Sequence, residues 1–348
     1  MRMLTGNQTR QLVDAEQLYA AFQVAQNDYR QRYSGSMAWK IIADRRYLYR
    51  KTKGVWKSLG PHSSETELTH QQFHAGRAAL KARCASLDAE IRAMAPINKA
   101  MQLGRVPWIA ARIMRKLDRL GLLGHGLKVA GTHALYAYER MAGVHFMAGS
   151  VATLDIDLPY DARGTLRLHM SDIREAGLIG ILKSVDESFA PLGSGSFRAV
   201  NNKGFMVDLI TPSVRHPASR RFKDRIGDNV DDLVSAEIEG LTWLESSPHI
   251  EQILIDERGY PLSMIVPDPR AFALHKAWLS KREDRDPAKR RRDLAQAKIV
   301  IKMLVSCLPH MRFDDPALNA LPADVRIAGS VLIDELSANA AAKGLDWD

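Results

Sequence analysis

The sequence predicts an α+β chain: a small mixed sheet flanked by helices, with an N-terminal helix and β-meander region and a helical C-terminal region. Residues 154–158 alternate with period two, and 205–210 are a short run that is apolar apart from Asp208, each the length of a single strand. Aromatic residues between 37 and 60 fall in short β-like runs separated by turn residues at Asp44-Arg45 and Lys53-Gly54, which predicts a three-stranded meander. Helical spacing dominates both ends of the chain.

In order, residues 10–33 place Leu12, Ala15, Leu18, Tyr19 and Phe22 on one apolar stripe. The meander follows. Residues 64–95 form a long helix with Phe73, Leu80, Cys84, Leu87, Ile91 and Met94 inward, ended by Pro96. A helix near 108–120 turns Ile109, Ile113, Leu117 and Leu120 inward and Arg112, Arg115, Lys116 and Arg119 outward. Residues 163–169 are expected as a strand and 172–189 as a helix, with turns at 193–196 and 201–204. The segment 212–228 is a basic surface loop, and 250–266 is a hairpin turning at Arg258-Gly259. Asp268-Pro269 opens a helix, 281–293 is a densely charged, solvated helix start, and 294–308 and 324–340 are terminal helices. A length of 348 residues suggests two or three domains. The expected division is an accessory region at 1–121, a central domain at 122–295 and a helical cap at 296–348.

Composition narrows the class. At 46% hydrophobic and 26% charged, the chain has material for a sizeable core and is not a disordered polyelectrolyte. A net charge of +9 favours a polyanionic partner, nucleic acid first. The basic residues concentrate in the meander: Lys40, Arg45, Arg46, Arg50, Lys51, Lys53 and Lys57 stand against a single acid, Asp44. Interleaved with Trp39, Tyr47, Tyr49 and Trp56, they have the composition of a single-strand or RNA platform. A small sheet with its rings packed inward and a solvated basic face has the same composition. Cys84 and Cys307 are expected as buried thiols in a reducing cytoplasm, not as metal ligands. No signal-peptide core opens the sequence and no run reaches the ~18 apolar residues of a membrane span, so a cytoplasmic protein without membrane contact is expected.

The chemistry concentrates at 127–157 and at Asp208. The run 127–130 ends in Gly131 and reads as a buried strand entering a tight turn. Thr132 stands at an N-cap position before the helix formers of 134–141. Gly131 permits close backbone approach to a phosphate, and free N–H groups at a helix start favour an anion. Asp155 and Asp157 leave one face of a strand together, while Leu154, Ile156 and Leu158 leave the other. Paired carboxylates repel unless a cation sits between them, and hard Mg²⁺ or Mn²⁺ takes oxygen ligands. Asp208, alone in an apolar strand, is costly unless paired or metal-bound, and as a third carboxylate it completes a two-metal clamp.

This constellation resembles the polymerase-beta-type nucleotidyltransferase superfamily: a strand, a Gly-Ser-type turn into a helix, an acid-x-acid strand and a third acid on a neighbouring strand. Gly131 to Glu139, Asp155 to Leu158 and Lys203 to Ile210 look like a bacterial group of nucleotidyltransferase-fold proteins. The resemblance covers about 125–215 and, more loosely, 250–295. Thr132 replaces the commoner Ser, and the interval from Gly131 to Asp155 is longer than in compact members.

The resemblance implies a nucleotidyltransferase-type sheet and transfer of a nucleoside monophosphate from an NTP to a hydroxyl, releasing pyrophosphate. Asp155 and Asp157 would bind both Mg²⁺ or Mn²⁺ ions, and Asp208 the ion nearest the acceptor. Gly131 and Thr132 would hold the triphosphate, and Lys276, on the helix after Asp268, would face it. Charge and the meander favour RNA, tRNA included, as acceptor. A protein hydroxyl, as in AMPylating or toxin-like enzymes, is the competitor. A nucleic-acid-binding protein on a catalytically silent fold is the rival from another class.

Overall fold

A computed structural model describes residues 1–52, 54–151, 153–160, 171–213, 225–226 and 229–342. The chain forms two compact units. One comprises Arg10–Gly104 with Glu257–Pro261; the other comprises the described residues of Met1–Thr9, Arg105–Asp256 and Leu262–Asp348. The fold is α+β, with several small sheets among helices.

Strand β1 (Arg2–Met3) precedes helix α1 (Gly6–Tyr33). In the smaller unit, β2 (Ser36–Ile42), β3 (Arg45–Thr52) and β4 (Val55–Pro61) form the expected antiparallel meander. Helix α2 (Ser64–Ala100) starts at a capping box: Thr66 N donates to Ser63 Oγ at 3.2 Å and Ser63 N donates to Thr66 Oγ1 at 2.9 Å. Contrary to expectation, Pro96 does not end it. Pro96 and Arg92, whose carbonyl loses its helical donor, are both exposed, so the proline sits on the side of the helix where a lost backbone bond costs least. Asn98, buried at the far end of α2, donates to the Gly259 carbonyl at 2.8 Å and so ties the 257–261 turn into this unit.

In the larger unit, α3 (Trp108–Arg119) buries Ile113 and Leu117 completely. Its outer face is not wholly solvated, because Arg115 pairs with the buried Asp256. Residues 127–130 form isolated bridges, to Leu123, Tyr160 and Asp157, instead of the expected strand. Their N–H groups scatter: Lys128 and Ala130 donate to Pro159 and Asp157, at 3.2 and 3.0 Å, Val129 to Ile265 at 2.9 Å, and Leu127 back to Leu122 at 3.0 Å. The segment is therefore wedged between two strands and belongs to neither ladder. A 3₁₀ turn (Gly131–His133) leads into α4 (Ala134–Ala142), followed by β5 (Val144–His145), which pairs with β1, and by α5 (Ala148–Val151).

Next come β6 (Asp155–Pro159), α6 (Ser171–Val185), β7 (Ala190–Pro191), β8 (Arg198–Val200), β9 (Met206–Pro212) and β10 (Ala236–Ile238). Strand β9 organises the sheet. It pairs in parallel with β6, and on its other edge it meets β8, antiparallel, and then β10, parallel. Ile156, Leu158, Val207 and Leu209 form its fully buried underside. The turns at 193–196 and 201–204 join β7 to β8 and β8 to β9, as expected. The strand expected at 163–169 and most of the basic loop at 212–228 lie outside the described residues.

The remainder is α7 (Leu241–Ser246), the hairpin of β11 (His249–Ile255) and β12 (Pro261–Pro267), α8 (Pro269–Lys281), α9 (Pro287–Cys307) and α10 (Ala323–Ala342). Asp268 and Asp286 cap α8 and α9, each followed by proline at the first helical position. Asp293, expected in a solvated stretch, is buried inside α9. No described helix is long and apolar enough to cross a membrane.

Helix α6 is broken at Gly177, whose φ of 63° and ψ of −172° are not helical. The buried carboxylate of Asp232 then caps the second segment from a distance, accepting from Leu178 N at 2.9 Å and Ile179 N at 2.8 Å. A methyl group on Gly177 would overlap that carboxylate. Asp232→Ala is expected to cost about 2 kcal/mol through loss of this cap, read as a lower urea midpoint with unchanged slope. An unaltered midpoint would show that the cap contributes nothing.

Candidate active site

Register, not proximity in sequence, builds the site. Cross-strand pairing sets Asp157 directly opposite Asp208, and Arg198 opposite Asp208 on its other side. Cross-strand neighbours share a face of the sheet. Asp157, Asp208 and Arg198 therefore stand in a row on the face opposite the apolar underside, with Asp155 two residues before Asp157 on the same face.

The acids are held differently. Asp208, only 5% exposed, accepts two hydrogen bonds from Arg198, from Nε at 2.7 Å and from a terminal nitrogen at 2.5 Å. This bidentate bond raises the Arg198 pKa further. Asp155 accepts from the Thr153 hydroxyl. Asp157 is pushed up to about 6, first by burial and then by the Asp155 charge, with Asp208 adding to it and Lys276 and Arg292 opposing. Among the described residues, no three His, Cys, Asp or Glu side chains converge closely enough to hold a metal ion, and the three aspartates as oriented are no exception. Their donor set nevertheless fits a hard cation: carboxylates on adjacent strands, one of them carrying an uncompensated charge.

Gly131 lies against this row. Its φ of 63° is left-handed, and a methyl group there would overlap Asp157 Oδ2. The glycine is thus required both by the turn and by the carboxylate packed over it. Thr132 is not the N-cap that the sequence suggests. It is buried within the 3₁₀ turn, and its hydroxyl accepts from Gln296 Nε2 of α9 at 3.0 Å. His133 is wholly buried and packs edge-on against Tyr136 and Phe205. Neither ring nitrogen has a hydrogen-bond partner of normal geometry, although the Asp155 backbone lies close by. Burial drives the ring to about 4, against a smaller opposing pull from Asp155, so it is neutral at pH 7.

Lys276 is buried on α8 and donates to Asp293 Oδ1 at 2.7 Å. Asp293 also pairs with Arg285. Burial disfavours the Asp293 charge, but Lys276 and Arg285 together hold its pKa below the usual range. The lysine thus sits within electrostatic reach of Asp157 while bonded to α9.

Sequence reasoning missed Arg198, Asp293 and Gln296. Arg198 had a signal, as a lone cation in a short run leading to the Asp208 strand. Asp293 and Gln296 had another, standing at helical spacing with the buried Ala297 and Val300.

A nucleotidyltransferase family model matches residues 109–322, more than half of the chain and all of the residues described above. The chain belongs to this nucleotidyltransferase family. No curated protein and no solved structure gives a significant match. The match begins at α3 and ends before α10, so the meander and α2 lie outside the part that defines the family.

Two outcomes follow from the geometry. The ordinary carboxyl value of 3.8 is raised in the folded protein, so the protonated form of Asp157 stabilises the metal-free fold at low pH. That contribution is complete below about 4 and is lost as pH rises through about 6. Asp157→Asn is therefore expected to melt at or above the wild type at pH ~7.5, with the difference gone by pH ~4.5. A less stable variant at the higher pH would contradict an uncompensated carboxylate. Gly131→Ala is expected to lose about 1–2 kcal/mol in urea unfolding from the left-handed backbone alone.

Proposed function

We propose that the protein is a metal-dependent nucleotidyltransferase that moves a nucleoside monophosphate from an NTP to a hydroxyl of RNA, with tRNA the first candidate. The observation that carries this reading is the register pairing of Asp157 with Asp208, with Asp155 on the same face, beside the Gly131 turn of a nucleotidyltransferase family member.

Asp155, Asp157 and Asp208 would hold Mg²⁺ or Mn²⁺, which supplies charge neutralisation at the phosphates and at the acceptor oxygen. Asp208 would be the ligand for the acceptor side, with Arg198 giving it up only as the cation arrives. The freed guanidinium is then a bidentate partner for the triphosphate. Gly131 lets the backbone of the 131–133 turn approach the phosphates, with Thr132 fixed behind it by Gln296. Lys276, anchored by Asp293, adds a positive charge behind Asp157. The acceptor oxygen forms a bond to the α-phosphorus as the bond to the bridging oxygen of pyrophosphate breaks. The hydroxyl proton passes by way of a carboxylate to solvent. Catalysis is mainly positioning and charge neutralisation.

The test is incorporation of each α-labelled NTP into total tRNA or into lysate protein, with Mg²⁺ or Mn²⁺. Label on RNA is expected, falling by about 10²–10³-fold or more in Asp155→Asn/Asp157→Asn. Label on protein alone would move the acceptor to a protein hydroxyl. No label, and no NTP binding by calorimetry, would leave a nucleic-acid-binding protein on a silent fold.

A further inference from the structure

The meander sorts its side chains onto two unlike faces. Cross-strand partners share a face, so the registers assign each residue. Met37, Trp39, Leu48 and Arg50 face α2, where Met37 and Leu48 are buried with Phe73, and Arg50 lies 4.1 Å from the Phe73 ring centre. Lys40, Tyr47, Tyr49, Lys51 and Trp56 occupy the opposite face. Among the described residues the three strands make extensive contact only with one another and with α2. The second face is therefore open, with Trp56 37% exposed.

This open face is ordered by cations resting on rings. Lys40 Nζ lies 3.9 Å from the Trp56 ring centre and 5.0 Å from that of Tyr49. Lys51 Nζ, on the residue paired with Trp56 across the strands, lies 5.8 Å from the same ring centre. Tyr49 meets Trp56 nearly edge-on, with centres 6.5 Å apart. None of the three strands contains an aspartate or glutamate. An acidic peptide would use the lysines but not the rings. A duplex keeps its base faces stacked inside and offers the rings nothing. A single strand offers both unstacked base faces and phosphates.

We infer that this face binds single-stranded RNA, with Tyr49 and Trp56 stacking on bases and Lys40 and Lys51 on the adjoining phosphates. The inference rests on RNA as the acceptor and assigns it a holding surface outside the family-defining region.

Fluorescence anisotropy of the full chain with a labelled, unstructured RNA of about a dozen nucleotides tests it. Tyr49→Ala/Trp56→Ala is expected to weaken binding about ten-fold or more, since each stacked base contributes about 1–3 kcal/mol. Tyr49→Phe/Trp56→Phe keeps flat rings and should stay close to wild type, which separates stacking from misfolding. Lys40→Gln/Lys51→Gln should flatten the dependence of log affinity on log salt by about 1.4, at ~0.7 per phosphate lost. Equal affinity of the alanine variant, no binding by the wild type, or tighter binding of the duplex or of the same strand as DNA would overturn the inference. Asp155→Asn/Asp157→Asn should bind as the wild type does. Ring-dependent binding without any transfer would therefore reject the enzymatic reading alone, and transfer without ring-dependent binding would reject this one alone.

Discussion

Three carboxylates are forced together by an apolar constraint beneath them. Ile156, Leu158, Val207 and Leu209 fill the underside of the β6–β9 pair, and a slip of one residue would turn them outward and the acids inward. The register is thus fixed by burial, and the repulsion among Asp155, Asp157 and Asp208 follows from it. Compensation comes from outside the two strands: Arg198 from β8, Thr153 from the approach to β6, and Lys276 and Arg292 from the helices. It is incomplete at Asp157, which stays near 6. A site tuned for stability alone would replace that acid with a neutral residue.

Helices α8 and α9 extend the same logic outward. Their contact face carries Asp293, Gln296 and Lys276, polar groups that are expensive to bury. Each has a partner: Lys276 with Asp293, Asp293 with Arg285, and Gln296 with Thr132. Gln296 reaches the turn that carries Gly131, so the helical pair fixes both the backbone beside the acids and the cation behind them. These groups do not strengthen a hydrophobic core; they specify one arrangement of the turn against the sheet.

The strands and their acids were legible because the signals are local: alternation marks Asp155 and Asp157, and Asp208 stands out as the one acid in an apolar run. The helix start at Asp268-Pro269 was legible for the same reason. What escaped depended on partners far away in sequence. Residues 127–130 have strand composition, but their N–H groups are shared among β6, Ile265 and Leu122. Thr132 has N-cap chemistry, but Gln296 takes its hydroxyl. Pro96 signals a helix end, yet the face on which it lies decides whether the lost hydrogen bond matters. The meander was ambiguous from composition because its rings divide between two faces: Trp39 packs inward, and Tyr49 and Trp56 share the opposite face.

The two ion pairs nearest the acids differ in a way that bears on the proposed chemistry. Lys276 and Asp293 have side chains 8% and 1% exposed, so parting them would leave two buried charges without partners. Arg198 is 28% exposed while its partner Asp208 is 7% exposed, so the guanidinium itself has a path to water and the cost of parting falls on Asp208. Asp208 cannot be left bare, since its own burial demands a positive partner. On the proposed reading the exchange would therefore be concerted, Arg198 leaving only as another cation arrives. Arg198 would then hold Asp208 in place until a cation takes over, while Lys276, locked to Asp293, would stay fixed during the exchange.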